Sequence, residues 1–348
     1  MARHPASRVA RTLGLAAGAG LLLSAAARRA RRIDLKGRVV VVTGGARGLG
    51  FAIARAFLQR GCRLAICGRD GGSVERAVEA LRSEGADVFG APCDATDAQQ
   101  VRAFVEQVLA RFGTIDVLVN NAGQCFAGPA SQLEAETVEK ALRGIFWVQF
   151  HPTMAVLPHM RSRRFGRIVN ITSIAGKLPV AHQAAYTAGK HALTGWSETL
   201  AIELEREGIR VSTLTPPPLR NGAPLNVHFN GSAEEEFLWF TRVLTSRLAT
   251  TTADRTARAV VDAAEHGDRE RTISAISWLG ARVQGVSPNL MTGFMALLER
   301  WQPPQGALGE TSKMRPGHEV VATSQDARVH TLAAAAREDE RRYLPSQA

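Results

Sequence analysis

Short apolar runs alternate with longer amphipathic stretches along most of the chain. The first run, residues 38–44, reads RVVVVTG, and a continuous β-branched run of this kind is typical of a strand buried on both faces of a sheet. The following stretch, residues 45–61, repeats apolar positions at helical spacing and ends at a glycine, which predicts a helix. The remaining strand-like runs are CRLAICG, ADVFGAPCD, IDVLVNNAG, FGRIVNITS, IRVSTLTP and RTISAIS, and helical patterns separate most of them.

Strands that alternate with helices predict an α/β fold of the doubly wound, Rossmann type, because parallel strands are joined by helical crossovers. The strand-like runs predict a seven-stranded, mostly parallel sheet with helices on both faces. We assign a single domain to residues 36–280, with a substrate-covering segment at 218–250. Residues 1–35 are an N-terminal extension, and residues 281–348 are a C-terminal helical and polar tail. Ligands of such sheets bind beyond the carboxyl ends of the strands.

A glycine-rich motif, TGGARGLG, joins the first strand to the first helix. Glycine allows a tight turn and lets a pyrophosphate approach the backbone, while the helix offers free N–H groups and the positive end of its dipole. Between an apolar strand and a helix at the start of the domain, this spacing predicts a dinucleotide-binding loop. Its predicted cofactor-binding residues are Thr43, Gly44, Arg47, Gly48, Leu49 and Gly50.

Two arginines indicate which dinucleotide the protein prefers. NAD-binding domains of this type place a carboxylate at the end of the second strand, where it accepts a hydrogen bond from the ribose 2′-hydroxyl. Here that strand ends in ICGRD, so Arg69 takes this place, and Arg47 lies within the glycine-rich loop. Guanidinium groups bind phosphate in bidentate fashion, which predicts NADP(H) in preference to NAD(H). Asp70 falls late for the acidic role and is expected to begin the next helix. The alternative, that both arginines are ordinary surface residues, stays open.

Composition restricts the classes of partner. The 348 residues, 45% of them hydrophobic, are enough for an ordinary globular core. The formal net charge is +11, but residues 1–38 hold nine arginines and lysines against one acid. The rest of the chain is therefore nearly balanced, and a nucleic-acid-binding face is disfavoured. The four cysteines form no CxxC pair and have no histidines at metal spacing, so we predict no metal site. We interpret them as reduced, structural thiols of a cytoplasmic protein.

An uncharged apolar run, LGLAAGAGLLLSAAA, occupies residues 13–27 between two groups of arginines. It is shorter than the ~20 apolar residues that a spanning helix needs. It also resembles a signal peptide, but the dense cations after it favour retention on the cytoplasmic side over export. We favour a short membrane anchor or interfacial segment, with the body of the protein in the cytoplasm. An uncleaved, disordered extension stays open.

From about residue 36 to residue 280 the chain resembles the short-chain dehydrogenase/reductase family. The resemblance rests on five motifs, TGGARGLG, CDATD, NNAG, IVNITS and YTAGK, with a serine 13 residues before the tyrosine of the last. It implies NAD(P)-dependent interconversion of a carbonyl and an alcohol. It further implies that Asp94 lies near the adenine and that the residues from Asn120 through Ala122 to Gly123 border the cofactor.

The same resemblance assigns catalysis to Ser173, Tyr186 and Lys190. Residues i and i+4 share a helix face, so Lys190 can stand beside Tyr186. A phenol has a pKa of about 10 and is a poor acid–base catalyst at neutral pH. We expect the Lys190 ammonium and an oxidised nicotinamide to lower the pKa of Tyr186, so that it exchanges a proton with the substrate oxygen. Ser173 is expected to orient that oxygen, and Lys190 also to bind the nicotinamide ribose.

Two departures from the family pattern bear on activity. The usual active-site asparagine falls at Ile145, so a proton-relay water there depends on a main-chain carbonyl. The usual Pro-Gly turn after the sixth strand reads TPPPLRN, and Pro217 cannot supply the positive φ of a glycine. Asn221 replaces a threonine and is expected to hydrogen-bond the carboxamide. These changes keep a second function open, that of an NADP(H)-binding, membrane-tethered regulatory or scaffold protein without turnover.

The substrate is predicted to be an apolar small molecule, and the helix expected to cover it contains AEEEFLWFTRVL at residues 233–244. Its aromatic side chains either line the substrate cavity or serve as core. His151 and His182 are interpreted as hydrogen-bonded structural residues, although His182 precedes Tyr186 closely enough to touch substrate. The apolar stripe after residue 280 packs on the domain, forms a homo-oligomer interface or meets a membrane, and the sequence leaves these three open.

Overall fold

A seven-stranded parallel sheet forms the centre of the protein in the computed structural model, which describes residues 24–246, 250–303 and 313–345. Its strands are β1 (Val39–Thr43), β2 (Arg63–Gly68), β3 (Val88–Pro92), β4 (Val117–Asn120), β5 (Gly166–Ile171), β6 (Ile209–Thr215) and β7 (Glu270–Thr272). They are hydrogen-bonded in the order β3–β2–β1–β4–β5–β6–β7. The predicted doubly wound sheet is confirmed. Its strand order reverses between β1 and β4, which opens the crevice where ligands bind.

Helices pack on both faces of this sheet. The first eight are α1 (Gly48–Leu58), α2 (Gly71–Ser83), α3 (Ala98–Phe112), α4 (Ala135–Leu142), α5 (Val148–Arg163), α6 (Ala184–Glu203), α7 (Ala233–Thr245) and α8 (Ala253–His266). Val40 and Val42 of β1 belong to the core shared with α1, α2 and α8, whereas Val39 and Val41 belong to the core shared with α3, α5 and α6. Successive side chains of a strand point to opposite faces, so the unbroken valine run is what a doubly covered strand requires.

An apolar helical hairpin follows the last strand. It consists of α9 (Ala275–Val286) and α10 (Pro288–Glu299). At Gly280 a Cβ would lie 3.3 Å from Leu178 Cδ1, so the hairpin begins beside the loop that follows Ser173. Within the three described ranges, no helix is both long and apolar enough to cross a membrane. The exposed large side chains on and after the hairpin are Ile276, Trp278, Leu279, Val286, Leu290, Phe294, Leu297 and Trp301.

A smaller core lies over the carboxyl ends of the strands. The helices α11 (Gly317–Thr323) and α12 (Ala327–Arg341) pack there against α7. Phe237 and Phe240 of α7 are buried, and each stands edge-to-face on Phe229 with ring centroids 5.8 Å apart. Of the two interpretations that the sequence left open, these side chains therefore follow the second and serve as core of the covering segment.

The basic residues before the domain contact the acidic end of α8. Arg28, in a helical segment over residues 24–30, lies 2.6 Å from Asp262 and 2.8 Å from Asp268. The Arg32 Nε atom is 2.7 Å from a Glu265 carboxylate oxygen. Part of the N-terminal positive charge is thus neutralised by the domain itself. Of the predicted anchor at 13–27, residues 13–23 lie outside the described part of the chain.

Candidate active site

The glycine-rich loop between β1 and α1 has the backbone geometry of a phosphate cradle. Gly44 and Gly48 have positive φ angles of 63° and 56°, which other residues adopt only with strain. A Cβ at Gly50 would lie 2.0 Å from the Gly44 carbonyl oxygen, so only glycine fits there. A Cβ at Gly48 would meet nothing closer than the Asn221 amide at 3.9 Å. Because this open space adjoins the N-terminus of α1, the residues present fit a dinucleotide pyrophosphate.

The segment after β4 holds this loop in place. Asn121 Nδ2 donates hydrogen bonds to the carbonyl oxygens of Thr43 and Gly44, at 3.0 and 3.1 Å. Thr43 Oγ1 accepts the N–H groups of Asn121 and Ala122, both at 3.1 Å. The sequence interpretation assigned no separate role to the Asn121 side chain, which is the residue of this motif that braces the loop.

Asn120 takes a different part. Its side chain is fully buried, and its Nδ2 donates to Thr153 Oγ1 at 2.7 Å and to Asn170 Oδ1 at 2.8 Å. The Asn170 amide continues this chain to Ser197 Oγ at 2.9 Å, and Ser197 contacts Thr213 Oγ1 at 2.8 Å. The side chain of Asn120 therefore links β4 to α5 and β5, and through Asn170 to α6, inside the domain.

The carboxyl ends of β2 and β3 carry the residues predicted to meet the adenosine. Arg69 is exposed and makes no ion pair with any residue that the structure describes. Asp70 begins α2, as the sequence predicts, and its Oδ1 accepts the Ser73 N–H at 2.8 Å. Hydrogen bonds from Ser73 lower the pKa of Asp70. Asp94 Oδ1 closes a turn by accepting the N–H and the hydroxyl of Thr96, at 2.9 and 2.8 Å.

Ser173, Tyr186 and Lys190 meet at the carboxyl end of β5. Tyr186 and Lys190 lie one turn apart on α6, and Lys190 Nζ stands 5.7 Å from the centre of the tyrosine ring. The Lys190 ammonium donates to the carbonyl oxygen of Ile171 at 3.1 Å. Ser173 follows two residues later, where its Oγ accepts the Ala175 N–H at 3.2 Å and its hydroxyl hydrogen-bonds Tyr186. The structure brings together the three residues that the sequence singled out for catalysis.

This combination of loop, sheet and Tyr–Lys helix is shared with known proteins. A family model described as short chain dehydrogenase matches residues 38–226, more than half of the chain. The chain belongs to the short-chain dehydrogenase/reductase family. The matched range contains the glycine-rich loop and the Ser173–Tyr186–Lys190 trio, so the resemblance drawn from the five motifs is confirmed.

Relatives within the family include reductases of polyketides. Granaticin polyketide synthase putative ketoacyl reductase 1 of Streptomyces violaceoruber is 39% identical over 180 residues, which cover 51% of this chain and 66% of that protein. The crystal structure of an actinorhodin polyketide ketoreductase variant with NADPH matches with a TM-score of 0.59 and 31% identity, over 68% of this chain and 95% of the other. The alignment thus spans slightly less than two thirds of the granaticin relative.

A further structural neighbour binds the other dinucleotide. A short-chain dehydrogenase/reductase of Burkholderia phymatum in complex with NAD matches with a TM-score of 0.67 over 74% of this chain and 96% of the other. At 24% identity this likeness shows the fold alone. Family membership therefore supports a nicotinamide cofactor but leaves the choice between NAD(H) and NADP(H) to the residues of this chain.

The protein environment raises the pKa of Tyr186. Its ring is partly exposed, but its hydroxyl is surrounded by protein, and the loss of hydration disfavours the phenolate. The nearby Cys125 thiol also raises this pKa, whereas the hydrogen bond from Ser173 lowers it. The lowering expected from the sequence relied partly on a cationic nicotinamide, a charge that the polypeptide does not supply. In the protein by itself Tyr186 is a protonated phenol at neutral pH, the form that donates a proton.

Burial acts in the opposite direction on Lys190. It lowers the pKa of the Lys190 ammonium to about 8, because a buried cation loses its hydration, and the Cys125 thiol opposes this shift only in part. The carbonyl of Ile171, which accepts the Lys190 hydrogen bond, also accepts one from Gln149 Nε2 at 3.0 Å. Removal of the lysine therefore leaves that carbonyl with a partner.

We expect Lys190→Met to raise the free energy of unfolding at pH 7 by about 2–3 kcal/mol, since each unit of pKa shift corresponds to about 1.36 kcal/mol. Between pH 8 and 10.5 the unfolded wild type binds more protons than the folded protein, so wild-type stability rises with pH in this window. The advantage of Lys190→Met should therefore shrink as pH rises from 8 to 10. Urea unfolding of both proteins from pH 7 to pH 10 measures it, and a difference independent of pH would contradict the assignment.

Ile145, at the position of the family asparagine, lies in a π-helical turn over residues 143–147 that joins α4 to α5. Its side chain is fully buried against Gly189 of α6, where a Cβ would lie 3.0 Å from Ile145 Cδ1. The apolar side chain thus fills the space beside the helix that carries Tyr186. Gly123 approaches the same turn, since its Cβ would lie 3.9 Å from the Gly144 carbonyl oxygen. The relay through a main-chain carbonyl stays a prediction.

Three prolines after β6 stand in place of the usual Pro-Gly turn. Two of them accept main-chain hydrogen bonds from other segments of the chain. The Pro216 carbonyl accepts the Ile174 N–H at 3.0 Å, and the Pro218 carbonyl accepts the Thr251 N–H at 3.0 Å. Proline lacks an N–H but keeps its acceptor, so both bonds use the group that proline retains. The first of them connects this turn to the loop that carries Ser173.

Asn221 stands beside the glycine-rich loop. Its Oδ1 accepts the Ala223 N–H at 3.2 Å, and its Nδ2 approaches Gly48 as described above. The preceding residues, Leu219–Arg220, form a short parallel pair with Thr251–Thr252. The predicted hydrogen bond from Asn221 to the carboxamide stays a prediction.

A buried histidine–glutamate pair connects the loop before α6 to the first turn of α7. His182 Nδ1 lies 2.5 Å from Glu236 Oε1, and the two side chains are 3% and 2% exposed. His182 has a positive φ of 57°, and its carbonyl accepts the Gly128 N–H at 2.6 Å. This is a hydrogen-bonded structural role, as the sequence analysis expected. The pair ties the loop before Tyr186 to the first turn of α7.

The remaining residues considered in the sequence are His151 and the four cysteines. His151 stacks on Trp147, with ring centroids 5.5 Å apart, and burial lowers its pKa. All four cysteines are free thiols. Among the described residues, no group of three His, Cys, Asp or Glu side chains is placed to hold a metal ion.

Proposed function

We propose that this protein is an NADP(H)-dependent oxidoreductase that interconverts a carbonyl and an alcohol on an apolar small molecule. The observation that carries the proposal is the junction of Tyr186, Lys190 and Ser173 at the sheet edge where the glycine-rich loop fits a dinucleotide. Tyr186 is protonated at neutral pH and Lys190 is mostly charged there, which suits a proton donor supported by a cation.

Each residue of the trio has its own role in proton transfer. When bound, a nicotinamide cofactor supplies a hydride to a carbonyl carbon or accepts one from an alcohol carbon. Tyr186 Oη donates its proton to the developing alkoxide in reduction and takes the hydroxyl proton in oxidation. Ser173 Oγ hydrogen-bonds the same oxygen and holds it beside Tyr186. The Lys190 ammonium stabilises the phenolate that remains after proton transfer.

An apolar substrate is supported by the surroundings of the site. Leu178, five residues after Ser173, contacts the start of the α9–α10 hairpin, whose large apolar side chains are exposed. Ketone reduction is supported by the similarity of the chain to the granaticin ketoacyl reductase and the actinorhodin ketoreductase. A screen of steroids, retinoids, long-chain ketones and aldehydes, followed by NADPH absorbance, tests the class. Turnover confined to small charged carbonyls would contradict it.

The preference for NADP(H) forms a separate part of the proposal. Arg69 is exposed and unpaired among the described residues, and Arg47 lies at the N-terminus of α1. We expect Arg69→Asp to shift the ratio of NADPH to NADH affinity by roughly ten- to hundredfold towards NADH, since charge-assisted hydrogen bonds contribute about 1.5–3 kcal/mol and exposure reduces them. Titration of wild type and variant with both dinucleotides measures it.

The matched control for that experiment is Arg102→Asp, which makes the same charge change at an exposed position on α3. It should leave the affinity ratio within about twofold of wild type. The wild-type ratio should also fall at high salt, because exposed charges are screened beyond about 10 Å at 0.1 M ionic strength. Equal wild-type affinities for both dinucleotides would mean that the arginines are ordinary surface residues.

Localisation and assembly complete the proposal. Free thiols support a reducing, cytoplasmic setting for the catalytic domain, with the N-terminal segment as its membrane contact. Trp147, at the end of the π-helical turn before α5, and Met154 of α5 are each 43% exposed, which supports self-association through this part of the chain. The regulatory or scaffold alternative has less support, because it leaves the buried Lys190 and its neighbouring tyrosine without a use.

A further inference from the structure

The end of the C-terminal helix lies on the glycine-rich loop. The carbonyl oxygen of Tyr343, two residues beyond α12, accepts the N–H of Gly48 at 2.9 Å. The Tyr343 hydroxyl donates to Asp254 Oδ2 at 3.1 Å. One turn earlier the helix presses against the residue after Asn221, since a Cβ at Gly222 would lie 2.4 Å from Glu340 Cβ. These contacts on three sides place the turn at 340–343 against the loop predicted to bind phosphate.

Arg47, which the sequence assigns to the 2′-phosphate, is already engaged by this region. Its Nη1 donates to Asn226 Oδ1 at 2.8 Å and lies 3.8 Å from Glu340 Oε1. Asn226 Nδ2 in turn donates to Glu340 Oε1 at 3.4 Å. The Glu340 side chain is 23% exposed and that of Arg47 is 52% exposed. The Glu340 carboxylate therefore interacts with the same guanidinium that a 2′-phosphate would bind. The Asn226 side chain hydrogen-bonds both Arg47 and Glu340.

We propose that Glu340 is a specificity-determining residue, whose carboxylate competes with the 2′-phosphate of NADP(H) for Arg47 and so reduces the preference for NADP(H) over NAD(H). The inference rests on the proposed function, because it requires a dinucleotide at this loop. A phosphate placed near Arg47 meets the negative charge of Glu340 as well as the positive charge of the arginine. A ribose 2′-hydroxyl lacks that charge, and a carboxylate can accept its hydrogen bond.

The contact between Tyr343 and Gly48 holds the turn that carries Glu340 against the glycine-rich loop. Gly48 N–H belongs to the first turn of α1, where the unpaired N–H groups of a helix bind anions. The Tyr343 carbonyl occupies one of these donors. The turn at 340–343 therefore contacts a main-chain N–H at the predicted pyrophosphate position, which both dinucleotides share, and the Arg47 guanidinium, which only the 2′-phosphate would use.

The test compares Glu340→Gln with Glu338→Gln by calorimetric titration of the full chain with NADPH, NADH and 2′-phosphoadenosine 5′-phosphate. Glutamine keeps the Cβ and Cγ that pack on Gly222 but removes the charge. We expect Glu340→Gln to bind NADPH roughly three- to tenfold more tightly than the wild type does, and to bind NADH within about twofold of the wild type. An effect of this size is typical of a partly exposed pair of charges. Glu338, on the same helix, is 71% exposed and pairs with Arg342. Its variant should change neither affinity.

A second measurement keeps the result interpretable. In an Arg47→Ala background, Glu340→Gln should no longer alter the ratio of NADPH to NADH affinity, because the shared cation is gone. An unchanged ratio in the single variant, or an equal change for both dinucleotides, would overturn the role of Glu340 and leave the proposed function intact. Absence of any dinucleotide binding by the wild type would overturn both. Thermal unfolding of each variant establishes that the chain is folded.

Discussion

Tyr186→Phe is expected to lower the rate of NADPH-dependent carbonyl reduction by about 10²–10⁴-fold, which is the usual contribution of a positioned acid or base. Phenylalanine keeps the ring that packs against Phe126 and Ile145, so the fold and the cofactor loop stay in place. It removes the only proton that this position can deliver. Lys190 and Ser173 remain, but neither has a phenol to support. The loss should therefore fall on kcat, with cofactor affinity within about threefold of wild type.

The chain offers a matched control, because it contains only two tyrosines. Tyr343→Phe removes a hydroxyl that hydrogen-bonds Asp254. At saturating NADPH this variant should turn over within about twofold of wild type. Initial rates and NADPH titrations of the wild type, Tyr186→Phe and Tyr343→Phe measure the two effects. Undiminished turnover by Tyr186→Phe would exclude Tyr186 as the proton donor.

Glu236→Ala is expected to lower the free energy of unfolding by about 3–5 kcal/mol, since it leaves one partner of a buried pair without the other. His182 and Glu236 are almost inaccessible to water, and their second polar atoms, Nε2 and Oε2, have no partner among the described residues. The variant leaves His182 buried without the carboxylate and releases the loop before Tyr186 from α7. We therefore expect lower activity as well as lower stability.

Glu235→Ala provides the comparison, because Glu235 is the exposed neighbour of Glu236 in the same first turn of α7. It should change stability by no more than about 0.5 kcal/mol, as surface substitutions usually do. Urea unfolding measures both variants. The double variant His182→Ala, Glu236→Ala should lose less than the sum of the two single variants, since the pair is removed together. Equal effects of Glu235→Ala and Glu236→Ala would refute the role of the pair.

Local sequence patterns predicted the fold because the positions that are apolar in sequence are also the positions that tertiary packing buries. The valines of β1 are apolar in sequence and are packed from both faces, so strand pattern and burial carry the same information. Gly44 and Gly48 have the positive φ angles that a tight phosphate loop requires. The spacing from Ser173 to Tyr186 carries the chain from the end of β5 onto α6, which brings distant residues together through regular elements.

Other features depended on contacts that no local pattern encodes. The aromatic side chains of α7 look the same in sequence whether they line a cavity or form a core, and only their packing on Phe229 decided for the core. In the polypeptide alone the pKa of Tyr186 is raised, and the lowering expected with an oxidised nicotinamide stays a prediction. Sequence shows a lysine four residues away, but burial and the Cys125 thiol outweigh the one lowering contribution, from Ser173.

The sequence by itself determined the sheet, the geometry of the glycine-rich loop and the grouping of the trio, because each follows from short-range periodicity, from glycine geometry or from motif spacing. Only the tertiary structure decided that the C-terminal helix closes on that loop. Glu340 stands 293 positions from Arg47, and no periodicity links them; their approach to 3.8 Å results from the packing of α12 on α7 and on Gly222. Such a contact depends on the complete fold, because side-chain burial and charge environment are set by residues brought together from distant parts of the chain.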